Sequence, residues 1–305
     1  MTARLVPGAT TVTTGARYSS LHGYVAHERN LSDSASLEVL RRWEIVVAAA
    51  SEVHPSPGLP ASRGAGVVGN WLRRDGHLDM VGLSTPKSGY ANPERGFLGP
   101  YLGSEITMGI LEGQLVTGDR YDHQSVRSGF DGLLDLAAQP IISLADLDGT
   151  ANLAVGAAAT EPDGRWLARL LTGSGSGEPS RSDDVRRNTI RTLVRAMALS
   201  GSSSPVDAVR DVVAFGGQAH SDPVLASIPE VESWCGVLYR HDSVGAWRRL
   251  WAAMVDEISG VVPRSTIVEY VADGLGPGAL QSFLDALSMV DGSVGDPSAA
   301  ESVIK

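Results

Sequence analysis

The sequence predicts a mainly α protein, a helical chain carrying one small winged-helix-like β hairpin. Three observations lead there. Apolar residues recur at helical spacing in most of the patterned segments. Capping residues stand where those segments begin. Strand-like stretches are confined to residues 78–83 and 114–124.

Residues 16–31 place Tyr18, Leu21, Tyr24, Val25 and Leu31 on one side of a first helix. Ser32, Asp33 and Ser34 then offer N-cap oxygens for a second. Its Leu37, Leu40, Trp43, Val46 and Val47 give a broad apolar face, and Pro55 and Pro57 end it. Residues 55–101 are rich in Gly and Pro and read as irregular apart from the short strand at 78–83. A helix over 102–111, a hairpin over 114–124 turning at Thr117-Gly118-Asp119, and a helix over 125–138 follow the order of a winged-helix unit. A plain helix–loop–helix corner fits the same pattern.

In the second half Ser182 can cap a helix over 183–199, with Asp183 and Asp184 in its first turn, where acids suit the helix dipole. Ser204 as N-cap and Pro205 at the first position start another that runs to Phe215. Residues 232–258 form one long helix, or two broken at 243–245. Trp247, Leu250, Trp251, Met254 and Ile258 share one face there and read as core. Helices over 265–273 and 278–290 close the pattern.

A chain of 305 residues makes one large domain or two small ones. The seam is the Gly/Ser-rich segment 173–182, which contains Pro179 and reads as a linker. It separates an N-terminal helical domain, 1–172, from a C-terminal one, 183–290, with 291–305 as a frayed tail. No repeat at solenoid periods is present.

Composition excludes several classes. An apolar share of 43% is too high for global disorder. No run approaches the roughly 20 apolar residues of a membrane span, and the N-terminus lacks a signal-peptide core. The single Cys235 excludes a disulfide framework and a cysteine-based zinc site. The expectation is a cytoplasmic protein with no membrane contact. The formal net charge is −10, and the basic residues are 23 Arg and two Lys. Residues 1–172 hold 14 basic and 18 acidic side chains; 173–305 hold 11 and 17. Neither half is basic, so a nucleic-acid contact has to come from a local Arg patch. Arg187, Arg191 and Arg195, four apart, line one helix stripe and are the first candidates. Arg73 and Arg74, near Trp71, are the second, and Arg248-Arg249 a third. A solvated face pairing with nearby acids explains such stripes equally.

The sharpest catalytic pattern is Asp146-Leu147-Asp148-Gly149-Thr150 after the apolar run 141–145. It resembles the first motif of the haloacid-dehalogenase-like phosphohydrolases. That resemblance implies Asp146 as nucleophile, Asp148 as general acid/base and a magnesium ion between the carboxylates and a phosphate. The rest of the family pattern departs from it. After Thr150 the only Lys is Lys305, the only distal acidic candidate is Asp296, and 183–290 reads as consecutive helices. A turn after a short buried segment accounts for the same five residues. No P-loop, G-x-S-x-G, H-E-x-x-H or C-x-x-C pattern occurs. His22 and His27 are five apart, which is wrong for a metal shared on one helix face. Asp122-His123, His241-Asp242 and the His220/Asp222 turn read as surface or capping positions. No metal or other cofactor is therefore expected outside the magnesium of the phosphohydrolase alternative.

One further pattern points to a setting. Thr13-Thr14-Gly15-Ala16-Arg17-Tyr18, then Arg41-Arg42-Trp43-Glu44, then Phe97-Leu98-Gly99-Pro100-Tyr101-Leu102-Gly103 span the first third of the chain. This order resembles helical proteins encoded in bacterial phage-defence and restriction gene neighbourhoods. The resemblance implies a setting, not a reaction; taken with the missing catalytic signatures and the Arg stripes, the expectation is a non-catalytic subunit of a multi-protein system acting on DNA, docking other protein subunits and touching phosphates through Arg. The alternatives are the magnesium-dependent phosphohydrolase and a winged-helix DNA-binding regulator using 102–138. No functional residue is carried over from the phage-defence resemblance, and a structural ion pair between the first two helices accounts equally for Arg17 and Glu44.

Overall fold

The computed structural model describes residues 2–9, 15–29, 31, 34–59, 61–85, 90, 98–113, 115–175, 177–215 and 217–257, with positions 260, 263, 265 and 266. The caps expected at Ser32 and Asp33, the helices at 265–273 and 278–290 and the tail lie outside these residues. So do the side chains of the Trp247, Leu250, Trp251, Met254 and Ile258 face. The fold is mainly α, with one small two-stranded antiparallel sheet. No helix among the described residues is long and apolar enough to cross a membrane. The chain divides into two compact units, Val6–Arg187 and Met1–Leu5 with Asn188–Lys305.

In Val6–Arg187, after α1 (Thr2–Leu5) in the other unit, come α2 (Arg17–Glu28), α3 (Ser34–Val53), α4 (Ala65–Asp75), β1 (His77–Asp79), α5 (Met80–Ser84) and α6 (Leu98–Met108). They are followed by α7 (His123–Gly129), α8 (Leu133–Ala138), β2 (Ile141–Ser143), α9 (Leu144–Leu147), two 3-10 turns over 151–159 and α10 (Pro162–Leu171). Helix α3 is the hub. Its Ile45–Ala50 segment is wholly buried, and α2, α4, α5 and α8 all pack on it. The run Ala48, Ala49, Ala50 presents little side chain, so neighbouring backbones can approach closely.

The segment 55–101, irregular on its Gly and Pro content, in fact holds two helices and a strand. Val68 and Leu72, four apart on α4, are both in the core. The strand-like stretch 78–83 divides at Asp79, whose carboxylate accepts from the N–H groups of Val81 and Gly82 and caps α5. Strand β1 pairs with β2, Leu78 opposite Ile142, both fully buried. The small β element thus joins segments some sixty residues apart, while 111–117 closes with a single bridge from Leu111 to Thr117. The stretch 125–138 is two short helices, parted at Gly132, whose φ of 81° suits glycine.

The expected linker belongs structurally to this unit. Helix α11 (Arg181–Ser200) opens with Ser180, not Ser182, and Ser180 and Asp183 exchange hydrogen bonds in the manner of a capping box. Asp183 also pairs with Arg120 and Arg186, all three nearly sealed from solvent. Arg120 Nη2 donates to the Glu178 carbonyl at 2.7 Å. The division between units falls inside α11, between Arg187 and Asn188.

The second unit comprises the rest of α11, α12 (Pro205–Val209), a π turn over Arg210–Ala214, α13 (Gln218–Ser221), α14 (Pro223–Ala226) and the long α15 (Val231–Glu257). Ser204 caps α12 through the Asp207 N–H, with Pro205 at the first position, as its sequence predicts. The described stretch 231–257 is one unbroken helix. Ala196, Val209, Val212, Val213, Leu225 and Val231 form this unit's own core. Cys235 is half-buried and donates to the Val213 carbonyl.

One interaction ties the first unit together. Arg17, buried at the start of α2, uses all five of its N–H donors. Nε and Nη2 grip Asp163 at 3.0 and 3.1 Å. Nη1 reaches the carbonyls of Asn152 and Ala154 at 2.6 and 2.5 Å, and Nη2 that of Gly129 at 2.7 Å. Of the two readings of Arg17, the structural one holds with a different partner: the carboxylate it meets is Asp163, while Glu44 projects from α3 toward His22. Arg17→Met leaves Asp163 as an unpaired buried carboxylate and should cost about 3–5 kcal/mol in urea unfolding. The double variant Arg17→Met/Asp163→Leu should recover part of that loss. A double variant less stable than the single one would contradict this account of the pair.

Candidate functional site

Helix α2 is buried from Arg17 to Ala26 and reaches the surface only at His27 and Glu28. It therefore carries polar chemistry in two places, one sealed and one open. The sealed place is His22. Its Nδ1 lies 2.7 Å from Glu105 Oε1 on α6, and its Nε2 lies 3.4 Å from Glu44 Oε1 on α3. All three side chains are fully buried. Tyr101 stands edge-on to the imidazole, with ring centroids 5.6 Å apart. Burial by itself would push the imidazole down. The attraction and hydrogen bond of Glu105, then those of Glu44, outweigh it and raise the pKa from 6.5 to about 9. His22 is thus an imidazolium clamped between two carboxylates, and it holds three helices in register.

Beside it a cavity of about 30 Å³ is bounded by Gly15, Tyr18, Leu59, Ala61, Ser62, Arg63 and Val155. That is room for a water, not for a small-molecule substrate. The Tyr18 hydroxyl reaches the Arg63 carbonyl at 3.3 Å, and burial followed by the Glu44 charge pushes its pKa up.

The open place is the end of α2. His27 and Glu28 face His123, the first residue of α7, and one ligand atom from each lies within 4.8 Å of the others. The His27 and His123 rings stack at 4.0 Å and 28°. Tyr121 and Tyr24 wall the pair, at 5.6 Å from His27 and 5.9 Å from His123. Nδ1 of His123 is buried and makes no hydrogen bond. Burial, then the neighbouring His27, lowers the His123 pKa, so its neutral form is favoured. The sequence separation of His27 and His123 hides this meeting from any motif search. It arises only because α7 packs against α2.

The residues singled out in the sequence are not assembled into one site. Asp146 accepts from the Ser143 N–H and hydroxyl at 2.8 and 2.6 Å, closing a capping box at the start of α9. Those bonds lower its pKa and turn its carboxylate back onto its own strand. Asp148 is exposed at the other end of the same helix. The strand before them belongs to a two-stranded antiparallel pair, and no parallel sheet occurs among the described residues. The resemblance to the phosphohydrolase motif is therefore local; the alternating strands and helices that would surround it are not formed there.

Most of the arginines already have acidic partners. Arg187 bonds Asp184 at 2.8 Å and the Gly173 carbonyl at 2.7 Å. Arg195 bonds Asp222 through Nε at 3.2 and 3.1 Å. Arg73 meets Glu52 at 3.1 Å, while Arg74 meets Asp75 and lies 5.0 Å over the Trp71 ring. Arg191 bonds only the Asn188 side chain, at 3.4 Å, and is exposed. Arg248 is exposed, and the Arg249 side chain lies outside the described residues. Exposed pairs of this kind contribute at most about 1 kcal/mol, so a phosphate can compete for the same guanidinium.

The chain matches no family model, and no curated protein or solved structure matches it.

The raised pKa of His22 fixes the sign of a pH effect. Between pH 6.5 and about 9 the folded state keeps a proton that the unfolded state has released. The imidazolium's contribution, on the order of 3 kcal/mol, is complete below pH 6.5 and fades as pH rises through 9. Unfolding free energies measured across this window should fall with pH in the wild type. They should be nearly flat in His22→Gln, and equal slopes would show that His22 is neutral.

Proposed function

We propose that this chain is a non-catalytic helical subunit of a bacterial multi-protein system acting on DNA, where it docks other proteins. The observation that carries the reading is a group of bare apolar side chains around the two-stranded ladder. Ile141 is 55% exposed, Val81 52% and Leu144 46%. Ile141 opens β2, Leu144 follows its end, and Val81 stands two residues past the β1 residue that pairs with Ile141. Leu78 and Ile142 fill the buried face and anchor the ladder to the core; Ile141 stands on the outer face among His77, Asp79 and Ser143, with Val81 and Leu144 just beyond it on α5 and α9. Exposed apolar side chains grouped among polar ones are a feature of surfaces that bind protein partners. The occupant that fits is a second protein with an apolar centre to its interface.

The setting rests on the likeness of the first third to proteins of phage-defence and restriction neighbourhoods. A DNA contact rests on the exposed Arg191 and Arg248 and on the exposed pairs a phosphate could open, and its share would be electrostatic. The experiment is purification of the full chain from its native host, followed by mass spectrometry and an absorbance ratio for nucleic acid. Subunits encoded beside this gene should co-purify with the wild type and be lost from Ile141→Asp/Leu144→Asp. Both substitutions are at exposed positions and should shift stability by only about 0.5 kcal/mol. Recovery of the chain alone, or the same partners on the variant, would refute the docking surface.

A further inference from the structure

Beyond docking, we infer that His27, Glu28 and His123 form a binding site for a divalent cation of the zinc class. The residue types are those such an ion takes. Two imidazoles and one carboxylate make a three-ligand set that leaves a fourth, solvent-facing position. Their ligand atoms already lie within 4.8 Å of one another. With metal–ligand bonds of about 2.1 Å, tetrahedral neighbours stand about 3.4 Å apart. Two of the three side chains are exposed, and small rotations of His27 and Glu28 close that difference without moving either helix.

Three independent features point the same way. His123 presents a buried ring nitrogen, Nδ1, with no hydrogen-bond partner, an arrangement that costs free energy until something binds it. The two rings are stacked at 4.0 Å, a spacing at which two imidazolium ions would repel each other. Glu28 is the last residue of α2, where the helix dipole repels an anion. A cation bound by the three would neutralise the Glu28 charge at the helix end and take a lone pair from each imidazole. The opposing charge is Arg127, one turn along α7 and close enough to bear on His123. Asp122 offsets it in part, while its own oxygens cap α7 through Ser125.

Bound there, the ion would fasten the exposed end of α2 to the start of α7. That is a structural clamp across two segments far apart in sequence, with one coordination position left to water or to a donor from another protein.

The test is calorimetric titration of the full, tag-free chain with zinc chloride, paired with cobalt(II) absorption spectroscopy. One equivalent of zinc should bind, cobalt should give tetrahedral d–d bands, and the melting temperature should rise with metal. His27→Gln and His123→Gln should each weaken binding by about tenfold or more and abolish the cobalt bands. His77→Gln, which alters an imidazole in another part of the same unit, should change neither. His27 is exposed, so its variant tests the site even if His123→Gln perturbs folding. Failure to bind one equivalent, or full affinity in His27→Gln, would overturn the assignment. The docking reading is read from partner recovery and stands or falls separately.

Discussion

Everything in the first unit is arranged around the Arg17 guanidinium. A buried positive charge is tolerable only when each donor finds an acceptor. Arg17 meets that condition by drawing four remote pieces of chain to one point: α2, the end of α7, the turn at Asn152 to Ala154, and the start of α10. Lysine could not substitute, since its ammonium has three donors and no planar fork to match a carboxylate. The approach is close enough to dictate other residues. A Cβ on Gly129 would stand 2.2 Å from the Asp163 carboxylate, so that position must be glycine. Phe130 then lies under the guanidinium at 4.5 Å and covers its remaining face.

The same economy governs the other buried charges. His22 is shared between Glu44 and Glu105, and Asp183 between Arg120 and Arg186. Such groups add little net stability compared with apolar packing, yet each accepts only one arrangement of its neighbours. Helix α2 carries two of these networks, at Arg17 and His22, on a helix with few large apolar side chains. Its position is set by polar geometry more than by an apolar stripe. The consequence for function is that the interior charges are committed to the fold. Chemistry directed outward has to come from the surface.

How much of this the sequence discloses depends on the range over which each feature is determined. The helical pattern of 16–31 and 34–53 is visible because Tyr18, Leu21, Val25, Leu40 and Val47 repeat with the helix period and are buried together. The caps at Ser204 and Pro205 are visible because capping is local. Helix α4 is hidden by Gly66 and Gly69, which lower helix propensity. The β1–β2 ladder is hidden because each strand has three residues and its partner is remote. The candidate sites divide in the same way. Arg stripes and the Asp146 motif are contiguous patterns and easy to see, but the fold uses most of them for surface pairs and a cap. His27, Glu28 and His123 share no pattern, and only the packing of α7 on α2 unites them.

That division also sets which surface features can carry function. An exposed ion pair forms readily wherever acid and base are near, so Arg73 with Glu52 needs no selective explanation. Bare apolar groups beside a ladder anchored in the core, and two imidazoles stacked on each other beside a carboxylate, are different. Each is unfavourable in an isolated chain, the first through apolar surface left in water, the second through an unbonded ring nitrogen and an anion at a helix C-terminus. Features that cost stability are the places where a bound partner or ion has free energy to return. A protein partner would offset the first and a cation the second. The two can also act together, because an ion that fixes α7 against α2 leaves α8 and the ladder that follow it less free to rearrange. A stiffer docking face forfeits less conformational entropy when its partner binds.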